Sequence, residues 1–352
     1  MSQESAQGLP SGRPGMAHAA ALALLLAIAG CGERSEPDRL PRLPIDPESV
    51  TVSGISAGGY MAVQFHVAYS DLVGGAGVLA AGPYYCAENS LRLALGRCMK
   101  DGEGIPTDRL LEITSHMALN GEIDPIAGLV DDRVWIFHGA DDEVVATTVV
   151  DALQAYYETL VRPENVLRVE RSATGHTFPT VGKGRACGLT ESPYLGNCGF
   201  DAARALLEQL YGPLQADGGN DPAGELRAFD QRPYAEVASS RAFAEQGWLF
   251  VPEDCRAGAT ARCRLHVVFH GCKQGATEIG REFVESAGYL ETAAANSIVL
   301  LFPQLAPSYQ PLNPNGCWDW WGYEGEDYAT QRGPQIAAVR AMIADLLGEA
   351  SE

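Results

Sequence analysis

Short apolar runs alternate with amphipathic stretches along most of the chain after residue 50. Apolar runs bounded by glycine or polar residues are typical of buried strands, and they cover residues 51–55, 74–82, 133–137, 165–170, 235–238, 247–251, 265–269 and 298–302. Helical spacing is found at residues 61–69, 146–160, 201–211, 283–296 and 333–347. This alternation predicts an α/β fold built on one continuous, mostly parallel sheet in a single domain.

The apolar run at residues 17–30 has a different meaning, because it is too short to span a bilayer as a helix and lies close to the start of the chain. We predict an export signal over residues 1–31. The small residues before Cys31 resemble the site at which bacterial lipoproteins are cut and lipidated, and conventional cleavage nearby is the alternative. Residues 32–49 are rich in Pro, Arg, Asp and Glu, which predicts a tether, and residues 50–352 are predicted to form the α/β domain. The protein is therefore expected outside the cell or lipid-anchored at the cell envelope.

Composition narrows the possible partners. The 352 residues include 45 acidic and 25 basic side chains, which gives a formal charge of −20, and 46% of the residues are apolar. So much apolar content supports a globular core, while the negative charge repels phosphate backbones and anionic membrane surfaces. We therefore do not expect the protein to bind nucleic acid.

The cysteine count agrees with export. Nine cysteines less Cys31 leave eight, an even number that fits full pairing in an oxidising compartment. Short spacings favour the pairs 86–98, 187–198 and 255–263, which leaves 272–317, although eight cysteines allow 105 connectivities. None of the spacings is that of a zinc ribbon, so no metal site is expected.

The segment Gly54-Ile55-Ser56-Ala57-Gly58 lies between a predicted strand and a predicted helix. A serine flanked two residues away by glycine on each side, at such a turn, matches the nucleophile elbow of α/β-hydrolases. The alternative is an ordinary glycine-rich turn. Because the following helix would direct its positive end at the serine, we predict Ser56 to be a nucleophile.

A serine nucleophile needs a base and an acid that orients the base. In α/β-hydrolases the order along the chain is Ser, then Asp or Glu, then His, and Asp142 and His176 satisfy it. Asp142 follows a strand, where open α/β sheets place their sites, and His176 lies in a glycine-bent loop. Asp141 and Glu143 are the competing acids, and a helix cap is the structural alternative for Asp142.

The oxyanion hole requires two backbone donors, of which the amide of Ala57 is one. The second usually comes from a His-Gly loop upstream of the elbow, but here the fitting segment, His270-Gly271-Cys272, lies far downstream. This order predicts a circularly permuted α/β-hydrolase in which the amide of Cys272 is the second donor. A structural disulfide at Cys272 is compatible with that role.

Five motifs in this permuted order resemble the catalytic domain of extracellular poly(3-hydroxybutyrate) depolymerases, over roughly residues 50–347. They are Gly54-Ile55-Ser56-Ala57-Gly58-Gly59-Tyr60-Met61-Ala62, His138-Gly139 with Asp142, Gly175-His176-Thr177-Phe178-Pro179, His270-Gly271-Cys272-Lys273-Gln274, and Gly316-Cys317-Trp318-Asp319-Trp320-Trp321-Gly322-Tyr323. The resemblance implies a polyester or oligoester substrate, a triad of Ser56, Asp142 and His176, oxyanion donors at Ala57 and Cys272, and no cofactor.

The aromatic cluster of Trp318, Trp320, Trp321 and Tyr323 is the predicted substrate-binding region. Burial in the core is the alternative for each tryptophan, but adjacent Trp320 and Trp321 cannot both face inward from a strand. Many depolymerases of this kind also carry a separate substrate-binding domain. None follows the last predicted helix, so we expect weaker adsorption to crystalline polymer.

Two other functions fit the same features. An esterase acting on acetyl or feruloyl groups of plant cell walls would share the fold class and export. A non-catalytic polymer-binding lipoprotein would share the aromatic cluster but has no need of all three triad residues. The sequence therefore favours a serine esterase.

Overall fold

The computed structural model describes residues 39–100, 104–216 and 222–349, which belong to one compact unit. The predicted signal, Cys31 and the first part of the predicted tether lie outside the described residues. Among the helices that are described, none is both long enough and apolar enough to cross a membrane.

The strands and helices largely follow the predicted alternation. The strands are β1 (Ile45–Ile55), β2 (Val73–Leu79), β3 (Arg133–Gly139), β4 (Val166–Arg171), β5 (Phe178–Thr180), β6 (Arg185–Ala186), β7 (Leu195–Asn197), β8 (Gly224–Asp230), β9 (Gln246–Pro252), β10 (Cys263–Phe269), β11 (Ile298–Phe302), β12 (Ser308–Tyr309) and β13 (Leu312–Asn313). The α-helices are α1 (Ala57–Ala68), α2 (Leu91–Leu95), α3 (Thr107–Leu119), α4 (Thr147–Leu160), α5 (Ala202–Tyr211), α6 (Arg232–Val237), α7 (Ala276–Ile279), α8 (Glu282–Ser286), α9 (Tyr289–Ala295) and α10 (Pro334–Leu347).

Eight strands form one sheet in the order β4-β3-β2-β1-β10-β11-β9-β8. Neighbours from β4 to β11 are parallel, whereas β9 runs antiparallel to both β11 and β8. The predicted mostly parallel sheet is confirmed. Small strands β5, β6 and β7 form a second sheet, and β12 pairs with β13.

Strand β10 comes from the second half of the chain and pairs in parallel with β1, with Gly54 opposite Phe269. The loop after β10 therefore lies at the same sheet edge as the loop after β1. In an unpermuted α/β-hydrolase the strand beside the one that ends at the elbow, with its His-Gly loop, comes earlier in the chain. Here the corresponding strand, β10, comes later. The sheet order confirms the predicted permuted α/β-hydrolase fold.

Two apolar clusters cover the two faces of the sheet. Alternate residues of β10 point to opposite faces, so Val267 and Phe269 join one cluster and Val268 joins the other. Helices α1, α4 and α10 pack in the first cluster, and α5, α8 and α9 in the second. Burial on both faces explains why the central strands are continuous apolar runs rather than alternating ones.

The four disulfide pairs suggested by spacing are confirmed. They are Cys86–Cys98, Cys187–Cys198, Cys255–Cys263 and Cys272–Cys317.

The predicted tether extends too far toward the domain. Strand β1 begins at Ile45, and the side chains of Leu40 and Leu43 are buried. The amide of Leu43 also donates to the carbonyl of Leu346, 2.9 Å away. The two leucines pack this segment against the domain, although the average composition of the segment, rich in proline and arginine, does not indicate it. The domain therefore begins before Val50.

Three elements of the second half differ from the prediction. Residues 235–238, predicted as a strand, lie largely in helix α6, which begins with Pro233 near its first turn. The half-exposed strand β8 lacks a continuous apolar run and was not predicted. The predicted helix 283–296 is divided into α8 and α9 at Gly288, whose φ of 90° leaves the helical region.

Candidate active site

Ser56 lies on a sharp turn between β1 and α1. Its backbone has φ 58° and ψ −123°, a conformation that costs free energy for a residue with a side chain. The Ser56 amide donates to the carbonyl of Leu79 on the neighbouring strand at 2.9 Å, which holds the turn in place. The serine side chain is thereby presented at the carboxyl edge of the sheet, directly before the first turn of a helix.

Glycine is required on both sides of this turn. A Cβ on Gly54 would lie 2.2 Å from the carbonyl oxygen of Gly58. A Cβ on Gly58 would lie 2.2 Å from the carbonyl oxygen of Phe269 on β10. Neither distance is possible for real atoms, so the two glycines allow strand, helix and neighbouring strand to meet at the serine.

Asp142 and His176 are in contact. Asp142 Oδ2 lies 2.7 Å from His176 Nδ1, and the other carboxylate oxygen accepts the amides of Val144 at 2.8 Å and Val145 at 2.9 Å. The side chain of Asp142 is 1% exposed and that of His176 is 9% exposed. Engagement of Nδ1 by the carboxylate leaves Nε2 as the nitrogen of His176 that can act on another group.

Opposing effects act on the pKa of Asp142. Burial raises this pKa, but hydrogen bonds from His176, Val145 and Val144, together with the charge of His176, outweigh burial and lower it overall. The carboxylate is therefore ionised at neutral pH. The rival acids Asp141 and Glu143 are exposed, and the acid that contacts His176 is Asp142.

In the loop after β10, the amides on either side of Cys272 are engaged. Gly271 donates to Gln274 Oε1 at 2.8 Å, Lys273 donates to the Asn315 carbonyl at 2.7 Å, and Gln274 donates to the Gly271 carbonyl at 3.2 Å. Within the described part of the chain, the amide of Cys272 has no acceptor. The amide of Ala57, in the first turn of α1, also has no intrahelical partner.

Gln274 joins this loop to the loop that follows His176. Its side-chain nitrogen donates to the carbonyls of Pro193 and Tyr194, each at 3.1 Å. The same region supplies Thr190, whose hydroxyl accepts the backbone amide of His176 at 3.0 Å. This buried link between two distant loops was not predicted, because its contacts are 80 or more residues apart in sequence.

Ser56 and His176 open onto the same cavity, which has a volume of about 470 Å³. Most of its lining is apolar or uncharged. The residues that line it besides these two are Ile55, Tyr60, Leu91, Leu95, Met99, Val144, Val145, Thr190, Tyr194, Gly271, Cys272, Lys273, Gln274, Leu312, Asn313, Pro314, Asn315, Cys317, Trp320 and Trp321. The cavity therefore places a reactive hydroxyl and an imidazole beside an apolar surface.

The aromatic cluster divides between the cavity and the core. Trp320 and Trp321 line the cavity, although Trp320 is only 6% exposed. Trp318 does not, because it is fully buried and packs edge-on against Phe269 at 4.9 Å. Tyr323 is not part of the lining either, and its hydroxyl donates to the Cys317 carbonyl at 2.7 Å. The structure thus brings two of the four predicted binding residues to the serine.

Asp319 holds the loop that carries these tryptophans. Its Oδ1 accepts the amides of Trp321 at 3.2 Å, Gly322 at 2.7 Å and Tyr323 at 3.0 Å, and its Oδ2 accepts the amide of Glu324 at 2.8 Å. A carboxylate that accepts four backbone amides fixes the loop from inside. The Asp-Trp-Trp-Gly sequence contains a signal for such a turn, since aspartate commonly caps amides that follow it.

Two histidines near the site are neutral. Burial lowers the pKa of His266 to about 3 and the pKa of His270 to about 4. His270 Nε2 accepts the amide of Leu305 at 3.1 Å, and its Nδ1 donates to the Gly271 carbonyl at 2.7 Å. His270 therefore supports the backbone of the loop after β10.

The described residues contain one group of side chains with metal-ligand spacing, formed by Asp254, Cys255 and Cys263. The two cysteines are joined in a disulfide, so they offer no thiolate. The group lies at the opposite end of β10 from Gly271, away from the cavity.

Comparison with known proteins supplies relatives that span most of the chain. No family model matches the sequence. The chain is 44% identical over 327 residues to the poly(3-hydroxybutyrate) depolymerase of Delftia acidovorans, with 92% of the chain and 65% of that protein covered. It is 35% identical over 321 residues to the polyhydroxybutyrate depolymerase of Talaromyces funiculosus, with 88% of the chain and 92% of that protein covered. The chain thus spans less than two thirds of the Delftia protein.

Solved structures agree in fold. The crystal structure of PHB depolymerase from Penicillium funiculosum superimposes with a TM-score of 0.80 at 33% identity, covering 89% of the chain and all of that structure. A serine-to-alanine variant of a PHB depolymerase complexed with R3HB trimer matches with the same TM-score at 32% identity, again covering 89% of the chain and all of that structure.

Proposed function

The chain belongs to the poly(3-hydroxybutyrate) depolymerase family, and we propose that it hydrolyses poly(3-hydroxybutyrate) or its oligomers as a serine esterase. The contact between Asp142 and His176, in a cavity that also contains Ser56, carries the proposal. The matching structure of a serine variant with R3HB trimer supports the substrate class.

In the first step Ser56 is the nucleophile. His176 Nε2 takes the proton from the serine hydroxyl while the oxygen attacks the ester carbonyl. Asp142, held ionised by two backbone amides, keeps the imidazole in the tautomer with the proton on Nδ1 and stabilises the imidazolium that forms. The tetrahedral intermediate then collapses as the ester C–O bond breaks. The expelled oxygen takes the proton from Nε2 and becomes the hydroxyl end of the released fragment, while the acyl group stays on Ser56.

The negative charge that develops on the carbonyl oxygen needs fixed donors. We assign this role to the amides of Ala57 and Cys272, because the parallel pairing of β1 and β10 brings their two loops to one edge of the sheet. The neighbouring amides of Gly271, Lys273 and Gln274 are already engaged by other acceptors. Helix α1 adds the positive end of its dipole at the same place.

Water completes the cycle. It attacks the acyl group on Ser56 with His176 as the base, and the products are a free carboxylic acid and the regenerated serine.

Substrate contacts are assigned to Trp320 and Trp321. Their rings line the cavity together with aliphatic side chains, which suits the methyl and methylene groups of an oligoester. Trp318 and Tyr323 are assigned supporting positions behind them.

The four disulfides fit an oxidising compartment, in agreement with export. We further propose that Cys31 is lipidated after removal of the signal and anchors the protein at the cell envelope. Mass spectrometry of the protein from a membrane fraction would detect the lipid, and a Cys31→Ser variant found in the medium would support the anchor.

A substrate comparison tests the function. Purified protein is incubated with amorphous poly(3-hydroxybutyrate) and, separately, with acetylated xylan. The proposal predicts release of 3-hydroxybutyrate or its oligomers and little acetate. Release of acetate with no action on the polyester would assign the protein to the carbohydrate esterases instead, and adsorption without hydrolysis of any ester would indicate a binding protein.

A further inference from the structure

One lysine belongs to the lining of the cavity. Among the described residues that line it, Lys273 is the sole lysine or arginine, and none is an aspartate or glutamate. The whole chain has three lysines, at 100, 183 and 273, and a formal charge of −20. An isolated cation in the cavity of so acidic a protein creates a local field that differs from that of the rest of the surface.

The ammonium of Lys273 is not committed elsewhere. Over residues 39–100, 104–216 and 222–349 it has neither an ion-pair partner nor a side-chain hydrogen bond, and the residue is exposed. Lys100, by contrast, donates to the Glu143 carbonyl. A lysine that belongs to the lining of a cavity and has no partner within the described residues is available to an anionic ligand.

The backbone around Lys273 is held firmly. Its amide donates to the Asn315 carbonyl at 2.7 Å, and its φ of 61° lies in the left-handed region, where glycine or asparagine is usual. On one side Cys272 is bonded to Cys317, and on the other Gln274 is anchored by four hydrogen bonds. The ammonium therefore starts from a fixed point, one residue beyond the proposed oxyanion donor.

Ester hydrolysis gives each fragment a carboxylate end, and soluble oligomers carry one such group at neutral pH. The rest of the oligoester is uncharged. We infer that Lys273 binds the terminal carboxylate of a 3-hydroxybutyrate oligomer, so that the cavity favours soluble, acid-ended oligoesters over the same chains with an esterified end. This inference rests on the proposed function and specifies the substrate class within it.

Binding measured without turnover tests it. In the Ser56→Ala background, calorimetry gives the Kd of 3-hydroxybutyrate trimer as the free acid and as its methyl ester. We expect the acid to bind about fivefold more tightly, the size of one well-placed exposed ion pair. Lys273→Met should remove the difference, whereas Lys273→Arg and the remote control Lys183→Met should retain it.

Salt provides a second readout, since a contact between exposed charges weakens as ionic strength rises. The preference for the acid should shrink in 0.5 M NaCl, a concentration at which the Debye length is roughly 4 Å. Equal affinities for acid and methyl ester, failure of both to bind, or a preference that survives Lys273→Met would each overturn the role of Lys273. Hydrolysis of amorphous polymer by the wild-type enzyme, measured separately, would leave the proposed function intact in those cases.

Discussion

Trp320 stacks on Tyr60, with ring centroids 4.1 Å apart and ring planes 8° from parallel. Tyr60 lies on the first turns of α1, four residues after Ser56, and its hydroxyl donates to the Cys98 carbonyl. One tyrosine thus connects helix α1, the Cys86–Cys98 segment and the tryptophan loop. The apolar wall of the cavity is built onto the same helix that presents the serine.

This stacking predicts that Trp320→Ala weakens substrate binding more than it slows the chemical step. Loss of the ring removes both cavity surface and the stack, so we expect KM for 3-hydroxybutyrate trimer to rise about tenfold while kcat changes little. Trp320→Phe keeps an aromatic ring over Tyr60 and should recover most of the affinity. A fall in kcat with unchanged KM for Trp320→Ala would contradict this assignment.

The contact between Asp142 and His176 predicts unequal effects for neighbouring carboxylates. Asp142→Asn should lower kcat by about 10⁴-fold, because an amide favours the wrong imidazole tautomer and cannot stabilise the imidazolium. Asp141→Asn, which alters an exposed residue, serves as the matched control and should retain activity. Steady-state kinetics on a soluble ester distinguish the two, and comparable losses in both variants would argue against Asp142 as the orienting acid.

The Cys272–Cys317 disulfide joins the proposed oxyanion loop to the tryptophan loop. Replacing both cysteines with serine frees the loop, and we expect kcat to fall by about 10- to 100-fold, part of what one oxyanion donor contributes. The equivalent double replacement of Cys255 and Cys263, at the far end of β10, should lower Tm without changing kcat. Equal kinetic effects of the two replacements would show that the loop does not depend on its disulfide.

Buried neutral histidines predict loss of stability in mild acid. The pKa values of His266, about 3, and His270, about 4, lie below the value near 6.5 expected in the unfolded chain. The stability of the folded protein is therefore unaffected by these two histidines above about pH 6.5. As the pH falls from 6.5 toward 4, the unfolded chain binds protons that the folded chain does not, and the free energy of unfolding decreases. Each should lower the free energy of unfolding by about 1.4 kcal/mol per pH unit in this window.

Urea unfolding at pH 7.0, 6.0 and 5.0 measures this slope. His266→Gln removes one of the two groups and should give a shallower dependence than the wild type, whatever its stability at pH 7.0. An unchanged slope in that variant would show that His266 does not cause the pH dependence of the free energy of unfolding.

Much of the fold and of the candidate site could be predicted from local sequence patterns. The glycines around Ser56 are readable because each prevents a specific backbone clash, at the Gly58 and Phe269 carbonyls. The buried parallel strands could be predicted because both of their faces are covered, which makes each strand a continuous apolar run. Strand β8 and the start of β1 were missed because their residues are half exposed, or scattered among prolines, so that no local run marks them.

Contacts between distant segments could not be predicted from such patterns. The bridge from Gln274 to Pro193 and Tyr194 and the stack of Trp320 on Tyr60 depend on how separate loops meet above the sheet. The same applies to Trp318, whose burial against Phe269 is decided by the path of the loop rather than by its sequence.

Release of 3-hydroxybutyrate from amorphous poly(3-hydroxybutyrate) shows whether Ser56 is the nucleophile of a polyester hydrolase. Wild-type protein and Ser56→Ala are compared at equal concentration, with circular dichroism to establish that both are folded. We predict release by the wild type and a loss of about 10⁵-fold or more in the variant, the scale seen when a serine nucleophile is removed. Equal release by the two proteins would show that Ser56 is not the nucleophile.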